Sequence, residues 1–166
     1  MQTLSEELLA VKAQLVSLIN AIEPKDTDRV PFEGSWTAGQ VLEHTDKAVS
    51  PQILSGNTAP VDRPADEKAG LIKKIFLDFD TKFKSPEFIE PTASVHDKDQ
   101  LRDSLVSKFD ALIHAAQTMN LEEECLDFEV PGMGKFTRLE WITFYMVHTQ
   151  RHLQQLANIN AVLQGK

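Results

Sequence analysis

The sequence predicts an all-α fold: an up-down-down-up four-helix bundle with a long crossover between the second and third helices. Three observations lead there. Apolar residues recur at alternating steps of four and three in four separate stretches of the 166-residue chain. Three of those stretches open on a helix-capping signature. The second and third are separated by a proline-punctuated segment from about Gly56 to His96, long enough to let the two helices it joins run parallel.

The first helix is expected from about Ser5 to Ile22. Leu4, Leu8, Val11, Leu15, Leu18 and Ile22 form its apolar stripe, and Pro24 stops it. The second starts at Thr37, a good N-cap, with Gln40 three residues on as the capping-box partner. Trp36 and Val41 occupy the staple positions around that cap. This helix continues through His44 and Ala48, and Pro51 with Ser55-Gly56-Asn57 marks where it bends or ends. The third opens at Asp97, paired in the same way with Gln100, and carries the stripe Leu101, Leu105, Phe109, Leu112, Ala116 and Met119. The fourth opens at Thr137, with Glu140 as box partner and Phe136 and Trp141 as staple. It runs to about Leu163, with Gly165 as a C-terminal stop. Inside the crossover, Leu71, Ile72, Ile75, Phe76, Phe79 and Phe83 suggest a short helix capping one end, and Pro60, Pro64, Pro86 and Pro91 keep the remainder irregular.

Residues 1–166 are expected to form one domain, since neither a repeat nor a linker divides them. Hydrophobic residues make up 42% of the chain, which suits a packed core and argues against disorder. No apolar run approaches the ~20 residues that span a membrane. The start, MQTLSEELLAVKAQL, has acids where a secretory signal would carry basic residues. The single cysteine, Cys125, has no partner for an internal disulfide. Together these point to a cytoplasmic location away from membranes. A formal net charge of -8 gives nonspecific nucleic-acid binding no electrostatic support.

The chemistry lies in the histidines. Along the fourth helix, Trp141, Tyr145, His148, His152, Gln155 and Ile159 keep the rhythm of an inward stripe. His148 and His152 are one turn apart on one face, close enough for both imidazoles to reach a common ion. His44 shares the inward face of Val41 and Ala48 on the second helix. An inward imidazole without a partner costs roughly 1–3 kcal/mol per unsatisfied group. A divalent ion shared by His44, His148 and His152 removes that cost, because neutral imidazole is a common ligand. Three protein ligands leave a coordination position open, as in catalytic zinc sites. The alternatives at this point are hydrogen-bonded core histidines and a surface pair on the last helix.

SWTAGQVLEHT resembles the second-helix motif of the DinB/YfiT-like family: a tryptophan, a cap residue and a histidine within the helix. VHTQRHLQQL resembles the family's last-helix motif, two histidines four apart with a glutamine three after the second. With four helices and the long crossover, the resemblance covers nearly the whole chain. It implies a three-histidine metal site at His44, His148 and His152, zinc or nickel as the ion, and a homodimer. It also implies transferase or isomerase chemistry on a low-molecular-weight thiol held as its thiolate. Many members carry His-His-Arg-Gly-Gln around the last ligand, where this chain has Arg151-His152-Leu153-Gln154-Gln155. That departure keeps the triad and removes any inference about a specific substrate.

Other residues carry weaker expectations. Tyr145 packs or donates a hydrogen bond at the pocket, and Gln155 orients a ligand or is an ordinary buried amide. Gln40 is a cap. Glu43 and Asp46 point about 100° or more away from His44, toward solvent. His96 is a helix-start residue and His114 a surface or half-buried one. The acidic stretch Glu122-Glu123-Glu124 should raise the Cys125 pKa and blunt its nucleophilicity. The phenylalanines between Phe76 and Phe88 suit core or dimer contacts. Three functional classes remain open: a metal-dependent enzyme transferring a group to or from a small thiol or other small-molecule substrate, a metal-dependent hydrolase using metal-bound water, and a non-catalytic bundle in which the ion ties helices together or a small ligand is stored.

Overall fold

The structure, a computed structural model, describes residues 1–165 and is mostly helical. Five α-helices follow one another: α1 (Leu4–Ala21), α2 (Ala38–Ala48), α3 (Ala69–Phe76), α4 (Lys98–Thr118) and α5 (Arg138–Leu163). α1 packs along α4 and α5, α2 packs against α5 and α4, and α3 lies on α5. The core sits between them. Leu8, Leu15 and Ile19 of α1 meet Leu105, Phe109 and Leu112 of α4 and Ile142, Leu153 and Leu156 of α5, all nearly inaccessible to solvent. Each such side chain contributes about 1.5–3 kcal/mol by leaving water.

Local capping chemistry sets the starts of the helices. Thr37 accepts from Gln40 N, and the Gln40 side chain returns a bond to Thr37 N. Thr137 and Glu140 do the same for α5, and Phe136 and Trp141 pack with ring centroids 5.1 Å apart. Asp97 caps α4 by accepting from Asp99 N and Gln100 N, but Gln100 does not return the bond expected of a box. A further box at Thr3 and Glu6 starts α1. On α1 the buried position is Ile19, with Leu18 only half-buried. Two neighbouring helices flank α1, and the face they cover is turned slightly from the one the stripe suggested.

The crossover contains α3, which ends at Phe76 rather than reaching Phe83 and packs along α5. The all-α expectation also misses a small sheet. β1 (Thr58–Ala59) pairs antiparallel with β2 (Glu124–Cys125), with Thr58 opposite Cys125 and Ala59 opposite Glu124. Two residues per strand are too few to show alternation in a sequence. Arg63 then fastens the crossover to α5. Its two terminal nitrogens donate to Glu140 at 2.8 and 2.7 Å, and Lys68 N donates to the same carboxylate at 2.7 Å. Glu140 is fully buried, so these bonds compensate a charge that would otherwise be costly.

No helix among the described residues is long and apolar enough to cross a membrane.

Candidate metal centre

α2 places His44 midway along its inward face, and α5 places His148 and His152 one turn apart opposite it. The three rings converge. His44 Nε2 lies 3.0 Å from His152 Nε2, and His148 Nε2 lies 3.3 Å from His152 Nε2. One ring nitrogen from each residue falls within a sphere of contact where every pair is closer than 4.8 Å. Two nitrogens bound to one tetrahedral zinc at ~2.0–2.1 Å stand about 3.3 Å apart, so the spacing suits one ion. The residues are 2%, 7% and 9% exposed in chain order.

The outer nitrogens fix the tautomers. His44 Nδ1 donates to the Ile89 carbonyl at 2.8 Å, and His152 Nδ1 donates to Gln155 Oε1 at 2.9 Å. Each of these imidazoles, when neutral, then presents a bare lone pair at Nε2. His148 Nδ1 is buried without a protein partner. Burial lowers the pKa of all three. It takes His152 to about 4, helped by the neighbouring His44, and lowers His148 well below the usual range. In His44 burial also dominates, against the bond to Ile89. Neutral imidazoles are the metal-binding form.

Aromatic side chains wall the cluster. Trp36 stands 5.1 Å from the His44 ring, Phe144 stacks on His148 at 5.7 Å, and Phe76 meets His148 edge-on at 6.0 Å. Sequence reasoning missed Phe144 and Phe76 as wall residues, although Phe144 stands one turn before His148 on the same helix. Ile89 was missed too, because it acts through its backbone carbonyl. Trp36, expected as a staple with Val41, also brings its ring against that of His44.

The remaining candidates sort by what they touch. Tyr145 is buried and donates to the Ser50 carbonyl at 3.0 Å; burial pushes its pKa well above the usual value, so it packs rather than exchanges protons. Gln155 orients His152. Gln40 caps α2 and also donates to the Thr92 carbonyl. His114 is exposed. Cys125 is fully buried, and burial, more than its acidic neighbours, raises its pKa to about 11.

Glu43 and Asp46 do not face open solvent. Asp46 bonds Ser104 and pairs with Lys108 at 3.2 Å. Glu43 accepts from His96 Nε2 at 2.7 Å, from Thr92, and from Lys47 at 2.5 Å. His96 Nδ1 donates to Asp28 at 2.5 Å. Burial opposes ionisation of Glu43, yet these bonds outweigh it and hold the carboxyl at about 2. Burial likewise disfavours the His96 cation, and bonds to Glu43 and Asp28 overcome it, raising the pKa. The returning crossover covers Glu43 and α4 covers Asp46, which helix geometry alone could not reveal. Gly39 makes room for the crossover: a Cβ there would fall 2.7 Å from Asp28 Oδ1 and from His96.

The family model of the DinB superfamily matches residues 7–156. The chain belongs to the DinB superfamily. No curated protein and no solved structure matched it. In this DinB-superfamily chain the three converging imidazoles could hold one divalent ion, and their donor chemistry fits such an ion: three neutral nitrogens and no carboxylate.

Proposed function

We propose that His44, His148 and His152 hold one divalent ion, zinc or nickel, and that the protein is a metal-dependent transferase using a low-molecular-weight thiol. One observation carries the metal assignment. His44 Nε2 and His152 Nε2 face each other at 3.0 Å, while both Nδ1 atoms donate outward, so two acceptors point at one another. A cation between them turns that repulsion into attraction.

A bound divalent ion would supply a Lewis acid that holds a small thiol as its thiolate. The chain's residues do the rest. Ile89 and Gln155 keep two imidazoles in the tautomer that offers Nε2. Trp36, Phe76 and Phe144 exclude water from the cluster. Three neutral donors leave a +2 ion uncompensated, which favours an anionic sulfur over a neutral ligand. The up-down-down-up helix order belongs to the same reading, supported by the long crossover between α2 and α4.

Elemental analysis of the purified protein, followed by a panel of small thiols added to the cobalt-substituted form, tests this. A stoichiometric ion and a sulfur-to-metal absorption band with one thiol class are expected. Absence of stoichiometric metal removes the proposal, and metal-dependent hydrolytic turnover without thiol replaces the transferase reading.

A further inference from the structure

Residues 77–84, between α3 and the 3-10 turn at Glu87–Ile89, are all exposed. Among the described residues, no backbone-to-backbone hydrogen bond joins residues 78–85 to the rest of the fold. Their own side-chain bonds are internal: Asp78 accepts from Asp80 N at 3.2 Å and from Thr81 Oγ1 at 2.6 Å. The tie to the body is Arg151. Its Nη1 donates to the Asp78 carbonyl at 2.7 Å and to the Phe76 carbonyl at 3.4 Å, and its Nη2 donates to the Thr81 carbonyl. The guanidinium also sits 4.9 Å from the centre of the Phe83 ring. Phe83 packs on Phe76 at 5.7 Å, and Phe76 is the ring against His148.

The other end of the crossover is held differently. The Ile89 and Glu90 carbonyls accept from His44 and Lys47, the Thr92 carbonyl accepts from Gln40, and Thr92 donates twice to Glu43. One margin of the cluster is therefore bonded by several side chains of α2, and the other by a single side chain of α5. Segments with few buried contacts and exposed backbone open at low free-energy cost. The three histidines are nearly inaccessible, so an entering ion or ligand must displace a covering group.

We infer that Arg151 is the latch of an access strap, residues 77–85, whose release opens the three-histidine centre to ion and substrate. Arg151 is a positioning residue: it acts through Phe83 and Phe76 and does not touch the cluster itself. The inference rests on the metal reading for what passes the strap, while the latch stands on the contacts of Arg151 alone.

Arg151→Met keeps the side chain's reach and removes its donors. A gate speeds entry and exit together. Zinc association and dissociation, followed by stopped flow against a chromogenic chelator, should both rise about tenfold, with the equilibrium affinity within about twofold of wild type. Unchanged rates, or faster dissociation alone with weakened affinity, overturn the latch. Trypsin cleavage after Lys82 and Lys84 should also rise about tenfold in the metal-free protein, and unchanged cleavage overturns it independently of metal. If wild type takes up no zinc, the metal reading fails and the cleavage result still decides the latch. Phe83→Ala, which leaves α5 untouched, repeats both measurements should Arg151→Met fold poorly.

Discussion

His44 and His152 approach nitrogen to nitrogen at 3.0 Å, each with its second nitrogen already donating elsewhere. Neither ring can satisfy the other while both are neutral, and burial keeps them neutral. The pair is a repulsive contact held in place by two helices, and it gains an attractive purpose only with a cation.

Replacing His148 with Ala removes one of three donors. Stoichiometric zinc or nickel uptake should be lost by elemental analysis, while far-UV circular dichroism keeps its helical form. Wild type should be stabilised by zinc in thermal melts, by about 2.7 kcal/mol at a free ion concentration 100 times Kd, and the variant should not respond.

Metal-free stability should fall on the acid side. His152 and His148 have lowered pKa values in the fold, so below the usual histidine value of 6.5 the unfolded chain binds protons that the fold refuses. Stability contributed by their neutrality is present above pH 6.5 and is lost as pH falls toward about 4, the His152 value. His96 has the opposite sign: its pKa is raised, so its contribution is present below 6.5 and is lost as pH climbs through the raised value. Urea titrations across this range should show an acid-side decline in wild type that is reduced in His148→Ala.

Gln155→Leu removes the acceptor at His152 Nδ1 while keeping bulk. Metal affinity should weaken by about tenfold or more, the usual effect of losing such an orienting partner, with little change in unfolding midpoint. Competition against a chelator of known affinity measures it.

Glu140→Ala removes an α5 capping group and leaves Arg63 without its buried partner. The loss should be about 3–5 kcal/mol in urea unfolding, far more than a surface ion pair would give. Arg63→Ala should be similarly costly, since it leaves the Glu140 charge buried and uncompensated.

What was legible in the chain was local. Thr37, Asp97 and Thr137 announced their helices because caps act within one turn, and the His148 and His152 spacing could be read because both sit on one helix. What escaped reading depended on distant partners. The Ile89 carbonyl has no residue type to mark it. Glu43 looked solvent-bound because nothing in α2 says that Thr92 and His96 return to cover it. The buried Ile19, the two-residue strands and the inward turn of Phe76 follow from packing that only the assembled fold displays.

The pair His44 and His152 is also separated by 108 positions. Closing so large a loop carries an entropic cost that only the docking of α5 repays. During synthesis, therefore, the three-histidine cluster cannot form until α5 has emerged, and a protein cut short before His148 would carry no such cluster at all. Any metal uptake would thereby report that α5 has been made and has docked against α2.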